Sequence, residues 1–99
     1  MYVAKSQFSN KKREHFYNAE LKVIIAINLI HIAPWSCCHS LVEKASEYLP
    51  TGGRLILYGP YRLHGFHTSL SNEAFDQSLR ERNTLWGVRD LEDVEKICF

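Results

Sequence analysis

Along the chain, runs of apolar residues alternate with polar stretches, and the runs differ in period. Val23 to Asn28, "VIIAIN", is β-branched and apolar with no polar face. That pattern predicts a central strand covered on both sides by helices in a parallel sheet. The apolar run continues to Ile32, too long for a strand of the usual 5 to 6 residues, so the strand is expected to end near Asn28. Ala33 precedes Pro34 and is biased away from helix, which makes "LIHIAPW" a loop leaving the strand. Ser36 is placed to cap the next helix. Within it, Cys38, Leu41, Val42, Ala45 and Leu49 recur at helical spacing as one buried stripe, with Glu43, Lys44 and Glu47 on the wet side.

"PTGG" at Pro50 to Gly53 stops that helix, and "RLILY" supplies a second buried strand ending at Gly59 and Pro60. Strand, short helix, strand is a βαβ unit, whose strands are parallel neighbours joined by a right-handed crossover. Two further helices are expected. One is capped by Ser71 and carries Phe75 and Leu79; the other is capped by Asp90 and carries Leu91, Val94 and Ile97. "WGVRD" is the turn into the last helix, where Arg89 and Asp90 could pair across the cap. Residues 1–20 have neither period and are expected to be a poorly ordered leader, with at most a helical turn; residues 21–99 form the α/β domain.

In a βαβ unit the carboxyl ends of the strands face the ligand. "NLIHIAPW" and "GPYRLHGFHTSLSN" both leave the strands at that end, so Asn28, His31, Trp35, Tyr61, Arg62 and His67 can converge on one surface. Each has a structural alternative. Asn28 can satisfy loose backbone groups where the strand gives way to the loop, and a lone His31 can be a core histidine. Trp35 and Trp86 can serve packing, Trp35 alternatively stacking on a flat ligand.

Composition narrows the picture without deciding it. With 99 residues, 45% hydrophobic and 23% charged, the chain is one small globular domain or a piece of a larger one. A formal charge of +1 gives no general attraction for polyanions, and Lys11 to Arg13 are too few charges for a strong nucleic-acid footprint. Three cysteines, two adjacent, and a start without signal-peptide order predict a reducing compartment, the cytoplasm or nucleus. No apolar run approaches the roughly 20 residues of a membrane-spanning helix. "CCH" at Cys37 to His39 is a poor metal site, since helical neighbours point about 100° apart. His64 and His67 flank Gly65 but find no third ligand at a known spacing.

"INLIHIAPW", "YLPTGGRLILYGPYR", "GFHTSLSNEAFDQSLRERN" and "WGVRDLEDVEKI" occur in the order and near the spacing of a known family. From Val23 to Ile97 the chain resembles the methyltransferase-like protein 26 family, proteins with an S-adenosylmethionine-dependent methyltransferase fold and poorly known function. The resemblance implies a partial Rossmann-like methyltransferase fold, in which the first strand of the unit would be the fourth of seven and "RLILY" the fifth. It further implies that Asn28 and His31 lie near the methyl donor or acceptor, with Tyr61, Arg62, His67 and Asn72 flanking the pocket. No single catalytic residue is implied.

The departures are specific. No glycine-rich strand-to-helix loop precedes Asn28, where the family has one together with an acidic partner for the donor's ribose. Residues 1–20 show no match to the family, its closing strands are missing, and Leu70 stands where the family's "HTxPSN" stretch has a proline. The chain is therefore expected to be a fragment or short isoform of a methyltransferase with an unknown acceptor, inactive alone and unable to hold S-adenosylmethionine alone. The rival expectation is a non-catalytic α/β interaction module that self-associates or binds a partner through an exposed sheet edge.

Overall fold

The computed structural model describes residues 2–5 and 22–98. They form strands β1 (Tyr2–Lys5) and β2 (Val23–Ile27), helix α1 (Ser36–Tyr48), strands β3 (Arg54–Tyr58), β4 (Arg62–Leu63) and β5 (Phe66–His67), and helices α2 (Leu70–Arg82) and α3 (Leu91–Cys98). β2 and β3 pair in parallel from Val23↔Arg54 to Ile27↔Tyr58, and α1 joins them. The chain is thus a small α/β domain with a parallel βαβ unit followed by helices.

The sheet also has a third strand. β1 pairs antiparallel with β3, from Tyr2↔Leu57 to Lys5↔Arg54, giving the order β1-β3-β2. Four residues are too few for a period to show, and the partner lies about fifty positions away, so this strand is invisible to local pattern. The rest of the expected leader, residue 1 and residues 6–20, lies outside the described residues.

Alternation along the strands decides what is covered. Ala26, Leu55 and Leu57 are buried against Cys38, Val42 and Ala45 of α1, Leu49, and Val94 of α3, with Ile24 partly buried alongside. The opposite face carries Ile25 and Ile27, 60% and 65% exposed, with Val23 and Tyr58 also exposed. The expectation of a central strand covered on both sides is corrected twice: both packed helices lie on one face, and β2 is an edge of the sheet among the described residues. The expected stripe on α1 is present, with Cys38, Val42, Ala45 and Leu49 buried and Leu41 half-buried.

The helix starts differ by one or two residues from expectation. α1 begins at Ser36, with Trp35 in the capping position and no side-chain cap. α2 is capped by Ser69, whose Oγ accepts the Asn72 N–H at 3.1 Å, so Ser71 lies inside the helix. Asp90 precedes α3 as expected, but its carboxylate pairs with Arg62 and not with Arg89. The β4–β5 hairpin is pinned to α3 through Glu92, which accepts the His64 backbone N–H at 2.8 Å.

Candidate functional site

At the end of β2, Asn28 donates its N–H to the Tyr58 carbonyl at 2.8 Å, extending the parallel ladder by one bond. There φ becomes +58°, a left-handed conformation that asparagine tolerates better than most residues. The Asn28 carbonyl then accepts the N–H groups of His31 and Ile32 at 3.0 and 3.2 Å. This tight turn ends the strand and sends Ile30 and His31 into the core.

His31 is completely buried. Its Nδ1 accepts the Arg89 backbone N–H at 3.2 Å, its carbonyl accepts the Gly87 N–H at 2.9 Å, and its ring meets Tyr61 edge-on at 5.0 Å. Burial, reinforced by the nearby charge of Arg89, lowers its pKa to about 4 against smaller opposing effects of the Gly87 backbone and Asp76. The ring is neutral at pH 7, and with Nδ1 accepting, its proton sits on Nε2.

That Nε2 has no hydrogen-bond partner, and neither has the buried Oδ1 of Asn28. Both point to one place. A Cβ on Gly59 would lie 2.7 Å from Asn28 Oδ1 and 3.0 Å from His31 Nε2, closer than a methyl group tolerates. A donor from one loop and an acceptor from the strand end therefore both face Gly59, where an added methyl would force them to move. Gly59 is the site residue the sequence pattern missed; its signal was only its place directly after a strand.

Beside Gly59, at the carboxyl ends of β2 and β3, lies a cavity of about 500 Å³ lined by Asn28, Tyr58, Gly59, Pro60, Asn72 and Phe75. An adjoining cavity of about 220 Å³ shares Gly59, Pro60 and Asn72 with it and reaches Tyr61 and Thr68. The α2 cap supports this wall, since Asn72 Nδ2 donates to Thr68 Oγ1 at 2.9 Å. Among the described residues, neither cavity is lined by an ionisable acid, a lysine, an arginine or a histidine.

The other expected residues form a separate group. Trp35 and Arg62 line a third cavity, of about 300 Å³, with Arg80, Arg89, Asp90 and Asp93. Arg89 organises it, donating from Nε to the Ile30 carbonyl at 3.1 Å and from Nη2 to those of Ala33 and Leu85 at 2.9 and 2.8 Å. Its guanidinium also lies 5.4 Å from the Trp35 ring centre, a cation–π contact that occupies the indole. Burial, and then the charge of Arg80, lower the Arg89 pKa.

His67 lines none of these three cavities and sits 3.4 Å from Asp76. Asp76 is buried and was not singled out in the sequence, although an Asp76–Arg80 pair at i, i+4 was a usable signal. Its carboxylate accepts the Val88 N–H at 2.8 Å and both of its oxygens take Arg80 Nε, at 2.9 and 3.0 Å. Burial pushes its pKa up, but the Val88 and Arg80 hydrogen bonds and the charges of Arg80 and His67 outweigh burial and leave it lowered. The seven expected residues thus divide: Asn28, Tyr61 and Asn72 surround Gly59–Pro60, Trp35 and Arg62 flank Arg89, His67 pairs with Asp76, and His31 lies buried behind Gly59.

The profile of a protein family of unknown function, DUF938, matches residues 3–98. The chain belongs to this family. The match takes in most of residues 1–20, including most of β1. No solved structure matches the chain. Among the described residues no three His, Cys, Asp or Glu side chains group as a metal site, and no helix is long and apolar enough to cross a membrane. Burial raises the thiols of Cys38 and Cys98 to about 11, so both are protonated at neutral pH.

Proposed function

We propose that this chain carries part of a Rossmann-like, S-adenosylmethionine-dependent methyltransferase domain related to the methyltransferase-like protein 26 family, and that the Asn28–Gly59–Asn72 cavity is the methyl acceptor's side of its site. The observation that carries this reading is position: the cavity opens at the carboxyl ends of two parallel strands joined by a helix, where open α/β sheets bind ligands. A cavity with no acid or base in its walls suits methyl transfer, because displacement at a sulfonium methyl carbon needs mainly in-line positioning of donor and acceptor. In this reading Asn28 touches ligand, and buried His31 is a positioning residue that holds Asn28 and Gly59 in place.

The five glycines, at 52, 53, 59, 65 and 87, form no G-x-G-x-x-G turn, so close backbone approach to the donor's nucleoside has no source in this chain. Titration calorimetry with S-adenosylmethionine at millimolar concentration is expected to give no saturable heat. Transcript sequencing upstream of Met1 tests the wider reading. A longer in-frame product carrying a glycine-rich strand-to-helix turn should bind the donor, and Asn28→Ala in that product should impair methyl transfer. Failure of such a product to bind would sink the methyltransferase reading. A saturable heat with the short chain would overturn its insufficiency alone.

A second reading, a non-catalytic interaction module, is favoured by the exposed apolar face of Val23, Ile25, Ile27 and Tyr58 beside the β2 edge. Sedimentation across a concentration series tests the self-associating form of this reading, which the first reading does not require.

A further inference from the structure

We infer that the cavity beside Gly59 binds a flat, uncharged ring that both donates and accepts hydrogen bonds, such as an aromatic carboxamide or a neutral heterocycle, and discriminates against anions and cations. This concerns what the cavity holds and stands whether or not methyl transfer follows.

Size, walls and field all point the same way. A volume of about 500 Å³ suits a small molecule, because such sites occupy roughly 300 to 1,000 Å³. Tyr58 and Phe75 contribute aromatic rings from the end of β3 and the first turns of α2, and Pro60 adds a third flat apolar surface. Such walls take a planar ring by offset stacking or edge contact. Asn28 and Asn72 contribute carboxamides, each a donor and an acceptor at once, and so match a ligand edge that offers both.

Among the described residues no charged side chain lines this cavity. Three ionic groups elsewhere in the domain are committed to other partners: Asp76 to Val88 and Arg80, Arg62 to Asp90, and Arg89 to three backbone carbonyls. An ion held against these walls would find no counter-ion among the described lining residues, whereas a neutral amide or ring nitrogen would exchange water for a carboxamide.

Three probes of one shape isolate the effect of charge: benzamide, benzoate and benzamidinium. Each is titrated into the ¹⁵N-labelled chain and followed by amide shifts. Benzamide is expected to shift Gly59 and Asn72 saturably, with the two ions weaker by about tenfold or more. Asn72→Ala should weaken benzamide by about fivefold while leaving the remaining spectrum in place, consistent with loss of one neutral hydrogen bond. Phe75→Leu supplies the same test through the ring wall if Asn72→Ala does not fold. Equal or tighter binding of either ion overturns the proposal, as does the absence of a saturable benzamide shift. Shifts confined to Ile25 and Ile27 would mean adsorption to the exposed sheet face and would overturn it as well.

Discussion

His31 Nδ1 and the backbone N–H of Arg89 meet at 3.2 Å across 58 positions of sequence, and the Arg89 guanidinium returns to the carbonyls of Ile30 and Ala33 on either side of that histidine. The two loops that frame the candidate site are therefore held by one reciprocal contact. Its strength depends on His31 staying neutral, because a protonated Nδ1 cannot accept and an imidazolium there would be buried beside Arg89.

Stability should consequently fall as pH falls. Unfolded histidine takes a proton near pH 6.5, while folded His31 resists it until about pH 4, so the unfolded state binds more protons throughout that window. The stabilisation is full above pH 6.5 and is lost between there and pH 4, by about 3 kcal/mol if the shift is fully expressed. Asp76, whose pKa is lowered, adds its own loss only at more acid pH, below its unfolded value of 3.8. Urea unfolding at a series of pH values checks this, and His31→Gln should flatten the upper window while leaving the lower.

Gly59→Ala should destabilise the chain by about 1 to 3 kcal/mol, the usual cost of overpacking, because the added methyl meets Asn28 and His31 together. The amide shifts of Asn28 and His31 should move with it. Unchanged stability would mean that the two loops part easily, contrary to the close approach described.

Asp76→Ala should cost about 1 to 3 kcal/mol by leaving the buried Val88 N–H without its acceptor. Arg80→Ala should cost less, at most about 1 kcal/mol, since the Arg80 side chain is half exposed and the pair is partly screened. Thermal melting of both variants tests the order; a larger loss for Arg80→Ala would contradict it.

The cap assignment is separable from its neighbour. Ser69→Ala should lose about 1 kcal/mol of stability, and Ser71→Ala, two residues later and inside α2, should lose little. Chemical denaturation of the two variants decides the matter.

Ile25→Thr and Ile27→Thr remove apolar surface from the uncovered sheet face, where both side chains are more than half exposed. Each should change monomer stability by no more than about 0.5 kcal/mol while reducing any concentration-dependent association seen by sedimentation. Association that persists unchanged in both would place the contact elsewhere.

By itself the sequence marked β2, α1, β3, α2 and α3 in their order, though not β1 or the β4–β5 hairpin, and it marked the α1 stripe of Cys38, Val42, Ala45 and Leu49 that the fold buries. Those features are local: helical spacing, β-branched runs and glycine or proline breaks act over a few residues and need no partner to be legible. It also marked Asn28, because a polar residue at a strand end stands out against an apolar run, whereas Asn72 was implied only by the resemblance to the methyltransferase-like family. Only the tertiary structure decided that β1 pairs with β3, that both helices cover the same face of β2, and that Ser69 rather than Ser71 caps α2. "VIIAI" has no period to say which face is covered, and two serines of equal capping chemistry differ only in where the hairpin leaves them. Gly59, Asp76 and Arg89 gain their roles from groups distant in sequence: the Asn28 and His31 atoms opposite Gly59, the Val88 N–H at Asp76, and the carbonyls of Ile30 and Ala33 at Arg89. Such pairings depend on long-range closure, which no window of neighbouring residues encodes.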